Sequence, residues 1–126
     1  MAVASPEHIT AAFQTAYNAR DKAALLRLYA PDAVHTFDGL AISSGVDAIS
    51  LAFDRGFAGS LNLHGETLSC MVAGNTAMLR VLWRVLDPDG VVRLENVSCE
   101  VVGRGADGLW RYLIDDASGG SRPARG

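Results

Sequence analysis

The chain has 126 residues and a mass of 13.3 kDa, enough for one domain with a real core and too few for two. Apolar residues make up 49% and charged residues 20%, a globular rather than a disordered balance. The net charge of −3 comes from interspersed signs with no basic block, which argues against nucleic acid or an anionic membrane as partner, and no apolar run reaches the roughly 18 residues of a membrane span.

The opening "MAVASPEHIT" has neither a basic stretch nor a long apolar one, so it does not read as a secretion signal. Ser5 is a suitable N-cap and Pro6 suits a first helical position; Ile9, Phe13, Ala16 and Tyr17 then form one apolar stripe at helical spacing. Asp21 caps a second, short helix, "KAALLRLYA", with Leu25, Leu28 and Tyr29 inward, which Pro31 ends. "AVHTF" (33–37) reads as a short strand. "VDAISLAFDRGF" reads as a third helix, capped by Ser44, with Val46, Ile49 and Phe53 on one face and Gly56 near its end. Thereafter the period changes to two. "LNLHGETLSCMV", "TAMLRVLWRVL", "VVRLENVSCEVV" and "LWRYLID" predict four long strands, separated by the turns "AGN", "DPDG" and "GRGADG". The tail "SGGSRPARG" predicts a frayed end, so a single domain is expected over 1–118 and a flexible tail over 119–126.

Helices first and meandering strands after is an α+β pattern, with one twisted sheet curling around the helices and leaving room for a cavity. Cys70 and Cys99 lie in apolar strands without metal-ligand spacing, which predicts buried free thiols and, with the absent leader, a cytoplasmic protein. No His/Asp/Cys cluster suggests a metal, and no cofactor is expected.

The stretch "GLWRYLIDDAS" poses the functional question. Strict alternation puts Trp110, Tyr112 and Ile114 on one face and Arg111, Leu113 and Asp115 on the other. Asp115 is then either a solvated strand-end carboxylate or a carboxylate aimed into a cavity. In "AMLRVLWRVL", alternation by itself favours Leu79, Val81, Trp83 and Val85 as the core face, leaving Met78, Arg80, Leu82 and Arg84 in solvent.

"AAFQTAYNARDKAALLRLYAPDAVHTFDG", then "SGVDAI", then "DGLWRYLIDDAS", in this order and spacing over residues 8 to 118, resemble the SnoaL-like group of the nuclear transport factor 2-like superfamily. The resemblance implies a cone-shaped α+β barrel: three N-terminal helices packed on a strongly curved, mostly antiparallel sheet, commonly a homodimer. The superfamily includes ketosteroid isomerase, polyketide cyclases, limonene epoxide hydrolase, scytalone dehydratase and pure binding modules, so fold alone does not decide function. By this resemblance Asp115, seven residues after Gly108, points into the pocket as acid or base. The resemblance also reverses the alternation reading of "AMLRVLWRVL": Met78, Arg80, Leu82 and Leu113 become pocket residues, with Asp115 or Glu100 as partner for Arg80. Leu79, Val81, Trp83, Trp110 and Tyr112 become a convex homodimer face. Phe13, Tyr17, Tyr29, Phe37 and Phe53 would line the wall.

His35 alternates with Phe37 and would face the cavity, where it could pair with Asp115 as a proton-transfer dyad; His64 and His8 have weaker cases. Departures from the family matter. The positions matching the isomerase tyrosine and base are Phe13 and Phe37, and Glu100 alone falls where that enzyme keeps its protonated acid, so steroid isomerisation by that mechanism is not expected. Arg93 and Glu95 have the spacing of part of the epoxide hydrolase triad but fall too early in their strand. Two classes of function stay open. One is a cofactor-free acid/base enzyme of isomerase, cyclase or dehydratase type, acting on an apolar carbonyl-bearing small molecule, with Asp115 as proton carrier and His35 and Glu100 beside it. The other is a non-catalytic ligand-binding or accessory dimer, or a protein-interaction module.

Overall fold

The computed structural model describes residues 2–121. Pro6–His8 form a 3₁₀ turn into α1 (Ile9–Asn18), and Ser5 precedes it in extended conformation without a side-chain cap bond. The predicted stripe of α1 is buried: Ile9, Phe13, Ala16 and Tyr17 all lie in the core. Asp21 caps α2 (Lys22–Arg27) as expected, its carboxylate accepting from the Ala24 N–H at 3.1 Å. The helix ends sooner than predicted. Tyr29 already belongs to β1 (Tyr29–Thr36), and Pro31 sits inside that strand, where the register to its neighbour shifts and no ladder bond is asked of it. α3 (Val46–Phe57) starts from Gly45 at φ +86°, a conformation suited to glycine, and Ser44 lies in the two-residue β2 (Ser43–Ser44) instead of capping the helix.

Five more strands follow: β3 (Asn62–Ala73), β4 (Thr76–Leu86), β5 (Val92–Val97), β6 (Cys99–Arg104) and β7 (Trp110–Asp116). The strand predicted over 91–102 is thus broken at Ser98, though both halves pair with β4. Ser98 holds the break: its N–H donates to Val81 O at 2.9 Å, and its hydroxyl accepts from the Val81 N–H at 3.1 Å. The sheet runs β2-β1-β7-β6-β4-β3, with β5 added along β4; among the described residues only the β1–β7 pair is parallel. This is the α+β cone architecture, helices against one face of a mostly antiparallel sheet.

The sheet's inner face is not the one the resemblance implied for β4. Leu79, Val81 and Trp83 are buried in the core, while Met78 and Arg80 are exposed. The helices present apolar stripes, and the bulkiest apolar face of β4 gains most by packing there. Arg80 on the outer face keeps its charge hydrated and donates to Gly120 O at 3.3 Å, which avoids the cost of an unpaired buried cation. Trp110 and Tyr112 are buried as well, so none of the five residues expected on a convex dimer face lies there.

One irregularity reconciles the buried Tyr112 with a buried Asp115. Along β6–β7, Val102 pairs with Tyr112 but Val101 with Ile114, so Leu113 is an extra residue, a β-bulge. Trp110 and Tyr112 point inward before it; Ile114 points outward and Asp115 inward after it. Leu113 is displaced to the outside, over Gly103, where a Cβ would stand 2.9 Å from its Cδ1. Glycine also permits close packing at Gly65, where a Cβ would come within 2.6 Å of the Trp83 ring and 2.8 Å of Thr10. Cys70 and Cys99 are free and face opposite sides of the sheet, Cys70 beside Leu79 and Cys99 beside Asp116. Within the expected tail, Gly120 N–H donates to Val97 O at 2.8 Å; its residues 122–126 lie outside the described residues.

Candidate active site

The sheet's curvature leaves a cavity of about 730 Å³ between its inner face and helices α1 and α3. Apolar and aromatic side chains make the walls, among them Phe13, Tyr17, Phe37, Leu63 and Trp83. Its polar floor is a row laid across three adjacent strands. His35 on β1 stands opposite Asp115 on β7, and Asp115 stands opposite Glu100 on β6. Side chains so paired approach to about 5 Å at Cβ, close enough to share protons through a ligand or directly. All three are buried, at 2%, 6% and 1% exposure, in a chain where buried charged groups need a reason. The sequence-predicted trio is therefore assembled.

Hydrogen bonds divide the two carboxyls. Asp115 Oδ2 accepts a 2.5 Å bond from the Tyr29 hydroxyl, buried behind the cavity wall. Glu100 Oε2 accepts from the Trp83 indole N–H at 3.1 Å and from the Ser98 hydroxyl at 2.7 Å. Glu100 Oε1 and His35 Nδ1 are buried with no hydrogen-bond partner. Burial, and then the charge of Asp115, push the Glu100 carboxyl up to about 8, against the donors around it. Burial also raises the Asp115 carboxyl, opposed by His35 and the Tyr29 hydroxyl, while burial lowers His35 despite Asp115 and Asp116 nearby. Burial, reinforced by the carboxylates, pushes the Tyr29 and Tyr112 phenols well above their usual range, so both stay O–H donors at neutral pH.

Two buried carboxyls on facing strands hold one proton between them more easily than two charges. The Tyr29 hydroxyl favours the anion on Asp115, while burial and the Asp115 charge push Glu100 up to about 8, so the proton belongs to Glu100. Two donors, the Trp83 indole and the Ser98 hydroxyl, are aimed at Oε2, which leaves Oε1 as the oxygen open to that proton. The pair therefore presents a neutral acid and a carboxylate side by side, the division of labour that acid/base chemistry requires.

Several expected wall residues lie elsewhere. Phe13, Tyr17 and Phe37 line the cavity, but Phe53 packs behind it, with ring centroids 5.8 Å from Phe13 and 5.5 Å from His35. Tyr29 likewise stands behind the lining, reaching the site through its bond to Asp115 and through ring contacts with His35 and Tyr112 at centroid distances of 6.3 and 4.9 Å. Met78, Arg80, Leu82 and Leu113 are outside the cavity, because β4 and the bulged β7 present the opposite faces to those implied. Arg80 accordingly pairs with neither Asp115 nor Glu100. Arg93 and Glu95 are engaged outside the site, with Asp87 at 2.7 Å and Arg84 at 3.2 Å. His8 and His64 are exposed and away from it.

Sequence reasoning missed Trp83, Ser98, Asn96 and Tyr112 as site residues. The alternation of β4 did carry the signal for Trp83. At the mouth, Phe37 and Leu94 are 46% and 52% exposed, with Asp38 and Arg55 alongside.

Solved structures share this fold at low identity. A provisional calcium/calmodulin-dependent protein kinase type II association domain from Thiobacillus denitrificans is 20% identical, with a TM-score of 0.81 over 94% of this chain and 97% of that one. A ketosteroid isomerase-like protein from Erwinia carotovora atroseptica is 20% identical, at 0.70 over 87% and 89%. An NTF2-like protein with a cystatin-like fold from Novosphingobium aromaticivorans is 21% identical, at 0.74 over 87% and 78%. No curated protein matches the sequence. The model of the SnoaL-like domain matches residues 9–113, from the start of α1 to the bulge of β7, and the chain thus belongs to the SnoaL-like family.

Proposed function

We propose that the cavity binds an apolar, carbonyl-bearing small molecule and that the Glu100–Asp115 pair moves a proton on it without a cofactor. The observation that carries this reading is the pair itself: two buried carboxyls in register on adjacent strands, unlike in their hydrogen bonding, at the floor of an aromatic-walled cavity. Glu100 Oε1–H donates to the ligand's carbonyl oxygen and stabilises negative charge as it develops there. The Asp115 carboxylate takes the proton from the carbon next to that carbonyl and returns it, the core step of isomerisation, cyclisation or dehydration. Tyr29 holds Asp115 in place, and His35, neutral in this surrounding, limits the build-up of charge. SnoaL-like and ketosteroid isomerase-like relatives in fold favour this class of role without specifying a substrate.

The test needs no knowledge of the natural ligand. In deuterated water the chain should accelerate exchange at the carbon between ring and carbonyl of 2-tetralone, followed by proton NMR, while Asp115→Asn should not. Binding of the ketone with exchange no faster than in the variant would leave the non-catalytic ligand-binding reading standing instead.

A homodimer through the outer sheet face belongs to the same proposal, with different residues from those first expected. Met71, Met78, Val101 and Ile114 form one register row across β3, β4, β6 and β7, and Met71, Met78 and Ile114 are 60%, 40% and 49% exposed. Sedimentation of the Met78→Lys variant as a monomer, against a dimeric parent, is the expected result.

A further inference from the structure

We propose that a second site, at the opposite end of the sheet from the carboxyl pair, binds a planar organic carboxylate. The groove there measures about 750 Å³ and lies between the amino-terminal segment, the start of β1 and the hairpin end of β6 and β7. Val3, Leu28 and Trp110 give it an apolar floor, and three arginines from three different elements line it: Arg27 at the end of α2, Arg104 at the end of β6 and Arg111 on β7. No aspartate or glutamate is among its lining residues.

Two of the three arginines, Arg27 and Arg104, are not spent on carboxylates among the described residues. Arg104 directs Nε and Nη2 at the side-chain oxygen of Asn75, at 2.9 and 2.6 Å. A neutral amide thus fixes the guanidinium without neutralising it, and leaves three of its five N–H donors to face a ligand. The same guanidinium stands 5.9 Å from the Trp110 ring centroid. Arg27 forms no ion pair among the described residues. Arg111 alone is engaged, with Asp107 outside the groove at 2.6 Å. A held but uncompensated cation over an aromatic floor suits a ligand with a flat apolar body and a carboxylate, which the planar fork can grip by two bonds. A neutral molecule of the same shape gains only the floor.

The site stands independently of the acid/base reading, and the two tryptophans separate them: Trp83 borders the cavity and Trp110 the groove. The experiment titrates 2-naphthoate, and its neutral counterpart 2-naphthamide, into the full chain while following both indole N–H resonances by NMR. The expected result is that naphthoate moves the Trp110 resonance and binds at least tenfold more tightly than the amide. The Arg27→Gln/Arg104→Gln variant should lose that preference, and Asp115→Asn should keep it. An unshifted Trp83 resonance and an unchanged unfolding transition verify that the double variant is folded; if it is not, each single variant should weaken naphthoate at least threefold. Equal binding of acid and amide, movement of Trp83 alone, or arginine variants that bind like the parent would overturn the proposal. So would binding of poly-glutamate with none of naphthoate, which would point to an acidic peptide.

Discussion

The two ends of the inner sheet solve the problem of charge in opposite ways. At the cavity, Glu100 and Asp115 are shut away from water, and low dielectric drives a proton onto one of them. At the groove, Arg104 stays exposed and keeps its charge while a neutral side chain orients it. On the proposed readings the buried acids act as reagents, their protonation divided between neighbours, and the exposed arginines act as a grip. The same strand, β7, contributes to both, with Trp110 at the groove and Asp115 at the cavity.

The largest effect should fall on the cavity alone. Asp115→Asn should lower ketone exchange by about a hundredfold or more, the usual loss for a missing general base, and leave naphthoate binding intact. If both sites respond, they are one unit and the contrast fails.

Next comes the behaviour with pH. The folded chain holds the Glu100 proton up to about 8, whereas an unfolded glutamate releases it near 4.5. At this group the folded state therefore binds more protons between those values, and the contribution of Glu100 to stability falls as pH rises through that window, by on the order of 1 kcal/mol per pH unit. Glu100→Gln has no proton to lose, so urea unfolding of the variant should be flatter from pH 5 to 8 and should overtake the parent at the alkaline end. Parallel curves would remove the shared-proton account.

Tyr29→Phe probes the support of the base. The variant leaves Asp115 Oδ2 without its 2.5 Å donor, which should cost about 1–3 kcal/mol of stability. Removing a donor that favours the anion should also raise the Asp115 carboxyl further, readable in its carbon-13 shift against pH. The smallest effect is expected at the groove. Arg104→Gln should change stability by less than about 0.5 kcal/mol, because an exposed side chain bonded to one amide contributes little to folding. A loss as large as that of Tyr29→Phe would make Arg104 a structural residue instead of a ligand grip.

How much was legible depended on the kind of signal. Asp21, the stripe Ile9–Phe13–Ala16–Tyr17 and the hairpin turns announce themselves locally, and the structure agrees with them. Position within a family pattern points to Asp115 and Glu100, and alternation with Phe37 points to His35; register brings the three into one row. The wall went wrong where that pattern was allowed to overrule alternation: "LRVLWRV" already put Leu79, Val81 and Trp83 on the core side, and only the implied orientation moved Met78, Arg80 and Leu82 inward. Leu113 was illegible for another reason. A period-two reading assumes no extra residue, and the bulge at Leu113 appears only when β6 is laid against β7.

The sequence by itself determined that helices precede a meandering sheet, that Asp21 caps α2, and that an acid ends the last strand, because propensity, capping and turn chemistry act within a few residues. The tertiary structure alone decided which way β7 faces beyond its bulge. It turned Asp115 inward through a bulge, set Glu100 across from it and placed Tyr29 behind it, because register is fixed by what packs on the far side of the sheet and not by the strand's own residues.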